Sequence, residues 1–260
     1  HTHSRGRSET LLILASRYNV SLPLVEPRSD NRQPGLHVST IYGALANDLY
    51  PKWFKQYADD PDAFAGQVNH FTKGLVLERA WGDALSHMLP TCFEVPEPRY
   101  VMGEDDYITE SEVLAGQEAA EGCWCSADGL TPGRDSRRRS TTDSSGDIMA
   151  VEGISWPQDW PDFEPGVRAI HECKVTLKSS REATSPITHE KFITWQWQVM
   201  AYCYAYQCTR AYIHVLHLMG DYKERPFTPQ AACHRFDWEW DEIVTHWEWL
   251  MTEAKTRGLE

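Results

Sequence analysis

The sequence predicts an α/β domain in which helices pack on a central mixed sheet, and three observations carry that expectation. Apolar residues recur at helical spacing in four separate segments. Two short runs, "VRAIHECKVTL" and "AYIHVLHLMG", have the length and apolar content of buried strands. The order of these segments (helices, strands, helix, strand, helix) is that of one mixed sheet with helices against it.

Residues 1 to 36 combine the short apolar run "TLLILASRY" with a Pro, Asp and Arg-rich stretch expected to be loop, an N-terminal extension to the domain. The first helix is expected in "HVSTIYGALANDLYPKWF", capped by Ser39 or Thr40, with Ile41, Leu45 and Leu49 on one stripe and Pro51 as its stop. A second helix, from about Phe71 to Met88, carries Leu77, Ala80, Trp81, Ala84, Leu85 and Met88 on one face and ends at Pro90. The stretch "TCFEVPEPRYV" is compatible with a strand pair, and "EGCWCSADGL" with an extended run closed by the turn dipeptide Asp128-Gly129.

From residue 131 to 147 almost nothing can enter a core, so an exposed loop is expected, prolonged by "ISWPQDWPDFEPG" into an insertion over 131–168. The chain then returns as the strand "VRAIHECKVTL". A helix follows in "HEKFITWQWQVMAYCYAYQ", with Trp195, Val199, Tyr202 and Tyr206 at spacings of three and four. The strand "AYIHVLHLMG", closed by Gly220, precedes a last amphipathic helix with Ile243, Trp247, Leu250 and Ala254 inward. No internal repeat is found, and a single domain over 1–260 is expected.

Composition narrows the function. A chain of 260 residues, 41% hydrophobic, can bury a sizeable core. No apolar run is long enough to cross a bilayer, and "HTHSRGRSET" lacks the features of a signal peptide, so no membrane association and a place inside the cell are expected. Seven cysteines without a C-x-x-C pair suit reduced thiols better than a disulfide framework, a structural zinc or an iron–sulfur cluster. The net charge of −13 argues against a general nucleic-acid coat but leaves room for a local site, since carboxylates that hold cations add to a negative total.

The most informative segment is "AIHECKVT". Glu172 and Lys174 stand two apart, so on a strand they share a face while Cys173 points the other way. Each charge is costly to desolvate alone. A metal ion beside Glu172 would offset that cost and leave Lys174 facing a water or a phosphate; a surface-edge ion pair is the plainer alternative. Asp128, in "SADGL", stands where a turn presents a carboxylate at a sheet edge, or is an ordinary Asp-Gly turn residue. Glu78 lies beside the buried stripe of the second helix and wants a partner, a cation site or a salt-bridging Arg. Gln198 and Tyr202, four apart on a helix, stand ready to orient a phosphate or a water, or belong to core packing.

Taken in order, G-x-x-x-E (Gly74 to Glu78), S-x-D-G (Ser126 to Gly129), E-x-K (Glu172 to Lys174) and Q-x-Q-V-M-x-Y (Gln196 to Tyr202) resemble the motifs of the PD-(D/E)XK nuclease superfamily. The pattern looks most like the lambda-exonuclease or YqaJ-type phage exonucleases, which carry a glutamate four residues after the first-motif glycine. The resemblance spans roughly residues 37 to 250, carried by some twenty positions. Two features depart from it. Ala127 stands where the family usually has Pro, and residues 129 to 171, 43 of them, separate Asp128 from Glu172 where the family has a short hairpin. Asp147 is therefore a rival for the second-motif acid.

The resemblance implies a restriction-endonuclease-like core and a Mg²⁺- or Mn²⁺-dependent deoxyribonuclease acting on DNA, with double-stranded ends as the expected substrate. It implies that Asp128, Glu172 and the backbone carbonyl of Cys173 hold the metal, with Glu78 completing the shell, while Lys174 orients the nucleophile and Gln198 positions it or a phosphate oxygen. A single-strand-annealing recombinase partner, a homo-oligomer, and the cytoplasm of a bacterial or phage-infected cell are implied in the same way. Lys73, Arg79, Lys178, Arg181 and Tyr202 are the expected nucleic-acid contacts near the site. The run "RDSRRRS" either grips a DNA backbone or is a solvated loop.

Three alternatives remain beside this one. His171 and Cys173 are close enough in sequence to suggest a thiol hydrolase, but on one strand they are too rigidly placed to act as base and nucleophile. His214 and His217 fall on opposite faces of their strand, as core histidines would. The same fold would also serve an endonuclease, or a nucleic-acid-binding relative without chemistry.

Overall fold

The computed structural model describes residues 35–49, 77–86, 93–104, 106–115, 122–131, 166–177, 180, 193–221 and 228–259, apart from the side chains of Asn47 and Leu49. They form an α/β architecture with one antiparallel and one mixed sheet, flanked by helices. In chain order the elements are α1 (Val38–Leu49), α2 (77–86), β1 (Arg99–Gly103), β2 (Asp106–Thr109), α3 (Glu110–Leu114), β3 (Cys123–Cys125) and β4 (Gly129–Thr131). Then come β5 (Ala169–Thr176), α4 (Ile193–Tyr206), β6 (Arg210–His217), β7 (Gln230–Asp237) and α5 (Trp240–Thr256).

The larger sheet has the order β4-β5-β6-β7. Its two central strands, β5 and β6, run parallel and are joined through α4, while the outer strands β4 and β7 are antiparallel to their neighbours. Helices cover both faces, which is why β5 and β6 are buried almost continuously instead of alternating. One face, with Ile170, Ala211, Ile213 and Val215, packs against α1, α4 and α5 through Ile41, Val199, Ile243 and Leu250. The opposite face, with Cys173, Leu216 and Ala231, packs against α2 through Trp81 and Leu85. The Trp81 indole N–H donates to the His214 carbonyl at 3.3 Å, which ties α2 down to β6.

The smaller sheet, β2-β1-β3, is antiparallel throughout. Arg99 anchors it to the end of α4: the guanidinium donates to the Ala205 carbonyl at 2.8 Å and lies 4.0 Å over the Tyr107 ring.

Several sequence expectations meet the structure directly. Ile41, Leu45, Trp81, Leu85, Val199, Tyr202, Tyr206, Ile243, Trp247, Leu250 and Ala254 are all buried. The described thiols, Cys123, Cys125, Cys173, Cys203, Cys208 and Cys233, are unpaired by disulfides. Among the described residues no helix is long and apolar enough to cross a membrane.

Others are corrected. Helix α1 starts at Val38, so Ser39 and Thr40 sit inside its first turn and the His37 carbonyl accepts the first helical N–H groups. Thr131, expected in the loop, is a strand residue, 2% exposed, hydrogen-bonded to His171. Gly129 opens a strand instead of closing one, because the chain crosses between the two sheets over Ser126–Asp128. The remainder of the expected insertion, 132–165, lies outside the described residues, as do Asp147 and the "RDSRRRS" run.

Candidate active site at the free edge of β5

Strand β4 is three residues long and pairs with β5 only over Ala169–His171. Beyond that point the edge of β5 has no neighbouring strand among the described residues. Backbone groups on a strand edge need partners, and two of those on β5 are met by carboxylates. The Cys173 N–H donates to Asp128 Oδ2 at 2.8 Å, and the Val175 N–H to the Glu78 carboxylate. In a strand the N–H and C=O of one residue point to the same side, so the Cys173 carbonyl faces this edge too.

The two acids arrive from different directions. Asp128 is the last residue before β4 and hangs off the end of that short strand. It stands there because Gly129 can slide beneath Phe93, where a Cβ would lie 2.6 Å from the ring. Phe93 is buried and leans on the His171 ring at 5.3 Å, so the turn is pressed from above. Glu78 belongs to α2 on the Cys173 face of the sheet and reaches round the edge. Glu172 and Lys174 lie on the other face, toward α4.

The four side chains therefore meet at one sheet edge, approached from both faces. Lys174 Nζ donates to Glu172 Oε1 at 2.5 Å, with side-chain exposures of 11% and 4%. The second oxygen of that carboxylate, Oε2, is buried and has no hydrogen-bond partner among the described residues. Burial first, then the charges of Asp128 and Glu78, push the Glu172 carboxyl up to about 8 against the pull of Lys174. Glu78 is raised by burial and Asp128, with Lys174 and the Val175 N–H opposing. Burial draws the Lys174 ammonium down, but the three carboxylates outweigh it and hold it above its ordinary value. Three carboxylates against one ammonium leave two negative charges uncompensated when all are ionised.

That excess, the orphaned Glu172 oxygen and the hard oxygen donors of Asp128, Glu78 and Cys173 fit a divalent cation in kind and in charge. Among the described residues no three Asp, Glu, His or Cys side chains form a ready-made metal site. Asp128 Oδ2 is engaged with the strand N–H and Glu172 Oε1 with Lys174, so an ion would draw first on Glu172 Oε2.

Gln198 and Tyr202 are joined on α4, the Gln198 amide donating to the Tyr202 hydroxyl at 2.9 Å. Tyr202 is 4% exposed, and burial followed by the nearby Glu172 charge raises its phenol well above its usual value. Its ring lies in the core beneath the site and is no surface for nucleic acid, which corrects the sequence expectation. Arg79 is exposed on α2, one residue from Glu78; Lys73, Lys178 and Arg181 lie outside the described residues.

Sequence reasoning missed what supports the site from the Cys173 face. Thr131 Oγ1 meets His171 Nε2 at 2.7 Å, and His171 Nδ1 meets His214 Nε2 at 2.8 Å, with the two imidazoles stacked. This buried chain fastens β4 to β5 and β6, and burial keeps His214 neutral by lowering its pKa well below the ordinary value. Alternation on the strand places His171 on this face; its polar partner on β4 is hidden in the sequence because Thr131 opens the loop-like run "TPGRDSRRRS".

No family model and no curated protein matches the chain. Among solved structures it is similar to one described as "Crystal structure of SSO0001", at 11% identity and a TM-score of 0.39, over 95% of this chain and 86% of that one. A likeness this slight bears on neither the fold nor the function.

Proposed function

We propose that the chain is a metal-dependent phosphodiester hydrolase acting on DNA ends, a nuclease of the PD-(D/E)XK type nearest to the lambda-exonuclease and YqaJ-type phage enzymes. The observation that carries this reading is the meeting of Glu78, Asp128 and the strand pair Glu172 and Lys174, from three segments far apart in sequence, at the edge of β5 beyond β4. The parallel pair β5 and β6, joined by α4 and bordered by antiparallel β4 and β7, is compatible with a restriction-endonuclease-like core.

In this reading Asp128, Glu172 and the Cys173 carbonyl hold Mg²⁺ or Mn²⁺, with Glu78 directly or through water. The ion, when bound, lowers the pKa of a coordinated water, polarises the scissile phosphate and stabilises the leaving oxygen. Lys174, kept protonated by the surrounding carboxylates, orients the nucleophile and offsets the charge that grows on the phosphate. Gln198 positions that nucleophile or a phosphate oxygen, and Tyr202 holds Gln198 in place. Exposed Asp128 opens the cluster to solvent while Glu172 lies at its buried end, so a polyanion can approach through the bound cation despite the chain's net charge of −13.

Purified protein is incubated with a linear plasmid and with the covalently closed form, with Mg²⁺, with Mn²⁺ and with EDTA. Metal-dependent loss of the linear form alone is expected. Undiminished activity in EDTA overturns the metal chemistry, and cutting of the closed form overturns the requirement for ends.

A further inference from the structure

Helix α4 carries apolar side chains on every side, interrupted by Thr194, Gln196 and Gln198, so more than one of its faces calls for cover. Its inner stripe is covered by the sheet, but Ile193, Trp197 and Met200, at positions i, i+4 and i+7, are only half-buried. They look across to Trp238 and to a mixed stripe along α5 made of Asp241, Thr245 and Trp249. The two stripes meet at Trp197 and Trp249, and at the His246 ring N–H and the Trp197 carbonyl, and stay open beyond those contacts. They leave a groove of about 570 Å³, within the usual size of a ligand site.

Two features of the groove select its occupant. Trp197 and Trp249 stand edge to face at 5.1 Å, and Trp238 completes an indole-rich wall. Asp241 and Glu242, both exposed, place two carboxylates at the rim. Glu242 accepts the Glu239 N–H in the capping box of α5, but a purely apolar segment laid here would bury the Asp241 carboxylate and strip water from both, which is costly. A nucleic-acid strand could stack on the indoles, but its phosphates would meet the same carboxylates and be repelled. A guanidinium satisfies both features, stacking flat on an indole while its N–H groups pair with a carboxylate.

We infer that the groove between α4 and α5 is a docking site for an arginine-bearing segment of a protein partner. The complementarity of an acidic rim and an indole wall to a planar cation carries the inference. Gln198 and Tyr202 lie on a different stripe of α4, so the occupant leaves the acid cluster free.

The test is calorimetric titration of the full chain with an acetylated, amidated Arg-Leu-Arg peptide and with its citrulline analogue, which keeps the shape and loses the charge. Asp241→Lys probes the rim, and Asp106→Lys, at an exposed position on β2, makes the same change of net charge away from the groove. Saturable binding is expected, weakened at least tenfold by citrulline and by Asp241→Lys, unchanged by Asp106→Lys, with all variants melting as the parent does. Trp249→Leu should weaken binding as well.

Equal affinity for the two peptides, or equal losses in the two lysine variants, reduces the effect to general attraction by an acidic protein and overturns the proposal. Competition by an oligothymidylate strand would assign the groove to nucleic acid, and a concentration-dependent dimer that excludes the peptide and is broken by Asp241→Lys would assign it to a second copy. Either result also overturns it.

Discussion

Lys174 Nζ lies 2.5 Å from one oxygen of Glu172, and the other oxygen of that buried carboxylate has no hydrogen-bond partner among the described residues. A pair built only for stability would satisfy both oxygens, because an unpaired buried acceptor costs about 1–3 kcal/mol. With Asp128 and Glu78 adding repulsion, the arrangement trades stability for a concentrated negative field, as functional sites commonly do.

The metal-free protein should therefore lose stability as pH rises. The folded Glu172 carboxyl, raised from 4.5 to about 8, binds a proton that the unfolded chain releases. Its contribution is complete below 4.5 and lost as pH climbs through about 8. Lys174 is raised as well, but its contribution is fully present below its unfolded value of 10.5 and so is constant across that window. Below about 6.5 the neutral His214, His234 and His246, whose pKa values burial lowers, make stability rise with pH, so the Glu172 effect is read above that range. Melting temperatures measured from pH 7 to pH 9 in EDTA should fall, and the slope should flatten in Glu172→Gln. Added Mg²⁺ should raise the wild-type melting temperature more at pH 8 than at pH 6, since the ion competes with the proton. A flat wild-type profile would remove the raised carboxyl from the account.

Lys174→Ala should abolish turnover while leaving metal binding and the fold nearly intact. The ammonium acts on charge that develops in the transition state, and removing one such donor typically costs on the order of 10²–10³ in kcat. Loss of kcat with Mn²⁺ affinity preserved is the expected split. Wild-type turnover in the variant takes Lys174 out of the mechanism.

For the second-motif acid, Asp128→Asn should be far more damaging than Asp147→Asn. Asp128 stands beside the Cys173 N–H and inside the field of Glu172. The amide can still accept the strand N–H, so the edge should persist while the charge is lost. Nuclease rates and Mn²⁺ affinity of the two variants decide the matter, and the reverse ranking moves the site into the insertion.

The E-x-K strand was legible because its signal is local: two charges two positions apart inside an apolar run can share a face only on a strand. Glu78 was legible from its place beside a helical stripe. Strand β7 was not. Its sequence, "QAACHRFD", has a burial pattern without clean alternation, and its Ala, His and Arg residues sit at an antiparallel edge where neither period is enforced. In the smaller sheet β1 begins inside the expected strand pair and β3 lies in the expected extended run, but the four-residue β2 left no mark long enough to be read. That Asp128 precedes a strand and does not end one depends on the crossing between sheets, a tertiary fact with no local mark beyond the glycine after it.

That glycine carries the last prediction. A Cβ on Gly129 would lie 2.6–2.8 Å from three atoms of the Phe93 ring, closer than packed atoms approach. Phe93 cannot simply swing away, because it is 4% exposed and leans on His171, which is itself stacked on His214. Gly129→Ala should therefore push β4 off β5 and withdraw Asp128 from the Cys173 N–H, at a cost of about 1–3 kcal/mol for an overpacked position. A melting temperature lower by several degrees and a larger loss of activity than of stability are expected. The double variant Gly129→Ala with Phe93→Leu, which removes the clashing ring edge, should recover part of the activity. If it recovers none while the melting temperature returns, Phe93 merely fills space, and the position of Asp128 is fixed by something other than this contact.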